Sequence, residues 1–202
     1  MTASGATPGT VRPGGRTARV HAAVRAATLA ELAEHGFAGL AIDSVAARSG
    51  VHKTTVYRRW GGPEGLVADA LEQAAAEPWP VPDTGSAEGD LRGVVRLVLT
   101  GFTDPHGGPV ARAFVAAAQQ SATAAQALAG FFAARHAQAA VVVERAVDRG
   151  ELPAGTDGAD VIRCAVAPLY YRLFVSGEPV DEAVADRAAA AALAAARAGV
   201  LT

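Results

Sequence analysis

The chain has 202 residues and a net charge of −2 at neutral pH, and half of it is hydrophobic although only 5% is aromatic. That length is enough for one large or two small domains with a real core. The lone cysteine, Cys164, excludes an intramolecular disulfide framework. The amino terminus lacks an apolar signal core, and no run approaches the roughly eighteen apolar residues of a membrane span, so a soluble cytoplasmic protein is expected. Alanine supplies much of the apolar content, while 22 Gly and 11 Pro gather mostly between periodic stretches. This pattern predicts an all-α chain with punctuated loops. Val141–Val143 is a β-branched run, but it lies inside a long helical pattern.

Residues 1–16, MTASGATPGTVRPGGR, are rich in Gly, Pro and Thr and carry nothing to bury, which predicts a mobile arm. A first helix is expected over about 17–35, with Val20, Val24, Ala27 and Leu32 as its buried stripe and Gly36 as its stop. Phe37 and Leu40 then fold back on it. A second helix spans about 42–49, with Ile42, Val45 and Ala46 inward. Gly50 sits where a tight inter-helix turn needs freedom from a Cβ, and Val51 plugs that turn. The third helix, about 53–60, is different in kind. Val56 and Trp60 share its inner face, and His52, Lys53, Thr54, Thr55, Tyr57, Arg58 and Arg59 supply polar groups. An apolar back with a hydrogen-bonding front is what a helix needs to enter the major groove of DNA. Charge agrees: residues 1–60 hold eight basic and three acidic side chains, against ten and seventeen in the remainder. Arg12, Arg16 and Arg19 are candidates for phosphate or minor-groove contact, with Arg16 and Arg19 the nearer to the folded part. A fourth helix opens at Pro63, a good first-turn residue, with Glu64 placed to meet the helix dipole and Leu66, Val67, Ala70 and Leu71 inward.

The order VRAATLAELAEHGF, IDSVAARSGVHKTTVYRRW, PEGL resembles the amino-terminal domain of TetR-family transcriptional regulators over roughly residues 17–76. Gly50, Val51, Lys53, Thr55 and Tyr57 form the specific part of the match. The resemblance implies a three-helix helix-turn-helix DNA-binding domain, joined through a fourth helix to a helical bundle for effector binding and dimerisation. It implies base-edge contacts from Thr54 and Thr55, phosphate contacts from Lys53, Tyr57 and Arg58, and either role for Arg59. Three positions depart from the family pattern. Ala41 stands where a hydroxyl often caps helix two, leaving Asp43 or Ser44 to compensate, and Ser44 is kept as a DNA candidate. His52 stands at the cap of helix three, its imidazole expected to meet a phosphate. Pro63 replaces a backbone-gripping lysine, although the first-turn N–H groups remain available to a phosphate.

Residues 77–90, EPWPVPDTGSAEGD, break the pattern and predict a domain boundary. Helices follow at about 90–103, 109–119, 122–149, 157–176 and 180–199, with Pro168 kinking the fourth of these. PLYYRLFVSGEPVDE (residues 168–182) resembles one subfamily of the same regulators. Phe102, Phe114, Phe131, His136, Tyr170 and Phe174 are the expected walls of a ligand pocket of roughly 300–1,000 Å³, with Phe132 and Tyr171 as weaker candidates. Arg135, the only Asp, Glu, Lys or Arg between Phe114 and Val143, offers a partner for an anionic group. His136 and Cys164 lack metal-ligand spacing, so no metal and no cofactor are expected, and neutral packing is predicted for both. The last two helices are the expected homodimer interface, since small alanines allow close approach. No Ser–His–Asp or Cys–His arrangement and no phosphate-cradling loop is present, which argues against an enzyme. The expectation is a repressor that binds a palindromic operator in double-stranded DNA and is released by a small, largely apolar effector. The alternative is a non-inducible DNA-binding dimer.

Overall fold

The computed structural model describes residues 15–202, and every described secondary-structure element is helical. The predicted arm, Arg12 included, otherwise lies outside the described residues, and its last two residues are already helical, since α1 runs Gly15–His35. Arg16 therefore sits on a helix rather than on an arm. The next elements are α2 (Ile42–Ser49), α3 (Lys53–Trp60) and α4 (Pro63–Ala76). α5 (Ala87–Thr103), α6 (Gly107–Gln120), α7 (Ala122–Asp148), α8 (Gly158–Tyr171) and α9 (Glu182–Arg197) complete the order.

Local chemistry explains the ends. Ser86 accepts from Gly89 N at 3.1 Å, and Asp90 reaches back to Thr84 N at 2.5 Å, so α5 begins three residues before the periodicity indicated. Ser121, Asp157 and Asp181 cap α7, α8 and α9 in the same way. α8 stops as an α-helix at Tyr171 and continues as a π turn over Arg172–Ser176. Pro168, which cannot donate to the preceding turn, lies four residues before that change.

Two hydrophobic clusters hold the molecule. One joins Val24, Leu32, Val45, Val56, Trp60, Leu66 and Leu71 and crosses the Pro-rich segment to reach Ala113, Ala117 and Ala124 of α6 and α7. The other gathers α5, the later half of α7, α8 and α9 around Val94, Val142, Ile162, Leu169 and Leu193. α9 contributes mostly alanines (Ala185, Ala188, Ala189, Ala192 and Ala196 are buried), so each residue buries little and the contact must be broad. A cross-linked charge group ties α5 to α9: Arg96 forms a bidentate pair with Asp186 at 2.8 Å for each bond. No described helix is long and apolar enough to cross a membrane.

Candidate nucleic-acid interface and internal cavity

The candidate recognition surface is built by the turn between α2 and α3. Gly50 has φ of +67°, the left-handed conformation that lets α2 end and α3 start at once. Val56 and Trp60 are buried beneath α3, and Trp60 is met edge-on by His21 of α1 at 5.2 Å. That anchoring leaves His52, Lys53, Thr54, Tyr57, Arg58 and Arg59 exposed and Thr55 half-buried, and Tyr57 shows 63% of its surface to solvent. Exposure of a tyrosine to that degree has no packing rationale, and it leaves the hydroxyl available to a partner.

Several of these side chains are already engaged. Lys53 Nζ lies 2.6 Å from Asp43 Oδ1, an exposed pair of little energetic weight that a phosphate can displace. The Arg59 guanidinium sits 5.4 Å from the Trp60 ring centroid, which restricts its sweep. His52 is placed as a cap: its Nδ1 accepts from Thr54 N at 3.4 Å and lies 3.0 Å from Thr54 Oγ1, so that nitrogen is turned to the start of α3 while Nε2 of the exposed ring is left for a partner. Ala41 does leave α2 without a side-chain cap. Ser44 is half-buried on α2, and Arg16 and Arg19 are exposed on α1, where Arg19 Nε donates to Gly15 O at 3.0 Å. No hydrogen bond or ion pair among the described residues joins Arg16 or Arg19 to α3.

A clamp that the sequence did not announce fixes α2 on α1. Arg48 Nε donates to buried Glu31 at 2.8 Å, and its two terminal nitrogens donate to Glu34 at 2.7 and 2.6 Å. These bonds hold the Glu34 carboxyl below its ordinary pKa. Glu31, Glu34 and His35 bring ligand atoms within 4.8 Å of one another, but Arg48 occupies both carboxylates.

Behind this surface lies a cavity of about 770 Å³, lined by α1, α4, α5, α6, α7 and α8 together with Trp79. Phe102, Phe114, Phe131, His136 and Tyr170 line it, as does Phe132. Phe174 is not on the wall: it packs behind, 5.4 Å from Phe102 and stacked on Tyr170 at 6.4 Å. Tyr171 is exposed on the outside, and so is Cys164, which was expected to pack inward. Burial pushes the Tyr170 phenol upward, so it stays protonated and a donor. Burial, and after it the charge of Arg163, lowers the His136 pKa and keeps its ring neutral. The wall also contains Leu29, Ala30, Ala33 and Glu34 of α1, none of which belongs to the buried stripe expected for that helix.

Comparison with known proteins identifies the arrangement. Residues 24–70 match the family of bacterial regulatory proteins called tetR, and residues 81–192 match the tetracyclin repressor-like C-terminal domain. The chain belongs to the TetR family of transcriptional regulators. The uncharacterized HTH-type transcriptional regulator YdeS of Bacillus subtilis is 30% identical over 164 residues, 80% of this chain and 82% of that protein. The HTH-type transcriptional regulator AqdR of Rhodococcus erythropolis is 31% identical over 147 residues, 73% of this chain and 70% of that one. The solved TetR family transcription regulator SCO0332 superposes with a TM-score of 0.70 at 30% identity, covering 87% of this chain and 97% of its own. This TetR-family protein is a DNA-binding regulator of transcription and not an enzyme. The exposed α3 lies within the match to the family's amino-terminal domain, and the helices from α5 to α9 lie largely within the match to its carboxy-terminal domain.

Proposed function

We propose that this regulator is a repressor that binds a palindromic operator as a two-fold homodimer and leaves it when a small, largely apolar ligand fills the cavity. The cavity carries this reading. Its volume of about 770 Å³ falls within the roughly 300–1,000 Å³ of small-molecule sites. Its wall combines α1 and α4 with helices α5 to α8, so an occupant touches the DNA-binding half and the bundle at once. Such a ligand lowers DNA affinity only by binding the non-operator arrangement more tightly.

Dimerisation is assigned to the outer faces of α8 and α9. Cys164, Pro168 and Tyr171 lie exposed at helical spacing and continue to Val175, 71% exposed in the π turn. Ala183, Arg187, Ala190, Ala191 and Ala194 form the corresponding stripe of α9. Exposed stripes of mostly small or apolar residues on two packed helices are what a self-complementary interface uses. The paired recognition helices would then enter successive major grooves about 34–36 Å apart.

Selection of an operator from random duplexes, sedimentation of the protein–DNA complex and a screen of apolar compounds against that complex test the reading together. The expected result is a palindromic site, two chains per site, and at least one compound that dissociates the complex and loses its effect when Ala111→Trp fills the cavity. A monomer at micromolar concentration counts against the dimer. An operator complex that no compound perturbs supports the non-inducible alternative.

A further inference from the structure

Arg135 of α7 stands where the cavity meets the carboxy-terminal end of α4. Its guanidinium donates to Ala74 O at 2.7 Å and to Glu77 O at 2.9 Å, bridging the last turn of α4 and the residue that follows it. These are carbonyls that a helix end leaves short of partners. Gln138, one turn along α7, completes the attachment: it donates to Ala75 O at 3.2 Å and accepts from Trp79 N at 3.1 Å. Arg135 also lies over two rings of the cavity wall, 5.7 Å from Trp79 and 5.2 Å from Phe131.

What Arg135 lacks is an anion. Among the described residues no carboxylate reaches ion-pair distance of it. The Glu77 carboxylate is taken by Arg25 of α1 at 2.6 Å. Glu34, the acidic residue on the cavity wall, has both oxygens on Arg48. A cation is thus held on a mostly apolar wall by neutral groups: two backbone carbonyls, Gln138 Oε1 at 3.0 Å and the faces of Trp79 and Phe131. Burial lowers its pKa from the ordinary arginine value, in keeping with that setting. A carboxylate delivered into the cavity would be a stronger partner, because it offers two charge-assisted bonds in the geometry of the guanidinium fork.

We propose that Arg135 is a ligand-operated latch: the cavity takes an amphiphile with an apolar body and one carboxylate, and that carboxylate draws the guanidinium off the α4 carbonyls. The proposal rests on the reading of the cavity as the effector site. Release acts on the recognition helix because α4 is seated against α3 at its other end, where Gly65 meets the Trp60 carbonyl with no room for a side chain. A helix freed at one end and seated at the other can pivot, and the pivot moves α3.

The test uses the full chain with two probes of equal length, decanoate and the neutral 1-decanol. Calorimetric binding is read beside hydrogen exchange of the backbone amides of Ala76, Glu77 and Trp79. In the native protein decanoate binds about tenfold more tightly than decanol, the difference expected between charged and neutral hydrogen bonds. Decanoate, and not decanol, also speeds exchange of those amides. Arg135→Gln shows fast exchange without any probe and loses the preference for the acid. Arg135→Lys keeps the charge but brings one nitrogen where the guanidinium brings two to separate carbonyls, so it retains the preference and still shows fast exchange; it carries the test if the Gln variant does not fold. Equal affinity for the two probes, or slow exchange at those amides in both variants, overturns the latch and leaves the effector cavity standing. Failure of both probes to bind overturns the latch, and the effector reading then stands or falls by the compound screen on the operator complex.

Discussion

Thr54 and Tyr57 differ by one turn of α3 and are expected to differ in what they do on DNA. The Thr54 hydroxyl is oriented by His52 Nδ1 at 3.0 Å at the start of the helix, the part of a recognition helix that reaches base edges. Tyr57 and Arg58 are exposed further along, where contact with the backbone of a duplex is expected. Thr54→Ala should relax preference at one base position by about 1–3 kcal/mol. Tyr57→Ala and Arg58→Ala should weaken binding to every sequence, and loss of Arg58 should reduce the salt slope by about one counterion. Selection of duplexes with each variant, followed by salt titrations, separates the two classes. An unchanged selected site for Thr54→Ala would withdraw its base-reading role.

At the scale of the element, two helical glycines make opposite predictions. Alanine is the better helix former by about 1 kcal/mol, and this alone favours replacement at both sites. Gly130 on α7 has nothing within 4 Å of an added Cβ, so Gly130→Ala should raise stability by about that amount. At Gly65 the added carbon would run into the Trp60 carbonyl oxygen, which is backbone and cannot swing away. The clash wins there, costing about 1–3 kcal/mol. Gly65→Ala should also part α4 from α3, so operator affinity should fall by more than stability does. Urea midpoints and anisotropy titrations of the two variants decide it, and a stabilised Gly65→Ala with normal operator binding would refute the close contact.

Across the whole molecule, the cavity makes stability depend on pH through His136. Burial, and after it Arg163, lowers its folded pKa, so the fold favours the neutral ring. The unfolded chain then binds more protons in the window below the ordinary histidine value of about 6.5. The sign follows: this contribution is present in full above about 6.5 and is lost as pH falls from there through the lowered folded value. His136→Gln should flatten that part of the profile of urea midpoint against pH and leave the acid limb set by pairs such as Arg96–Asp186 unchanged. A variant whose profile parallels that of the native chain would show that the ring is free to protonate.

The sequence by itself determined the helix-turn-helix and the residues that could face DNA. Those signals are local: the spacing of Val56 and Trp60, a glycine where the backbone must turn left-handed, and a run of polar side chains on one short helix. Capping was only partly legible, because a histidine need not turn back to its own helix, and only the placed ring shows that His52 Nδ1 does. Aromatic residues announced a pocket but not which of them lie on its wall. Phe174 and Phe131 occupy equally helical sequence, yet one packs behind the wall and the other lines it. The attachment of α4 was out of reach for a stronger reason. Arg135 meets Ala74 and Glu77 across separations of 61 and 58 residues, and it binds their carbonyls rather than their side chains. Every residue carries a carbonyl, so no pattern of side chains could mark those two. Only the packing of α7 along α4 brings the guanidinium to them.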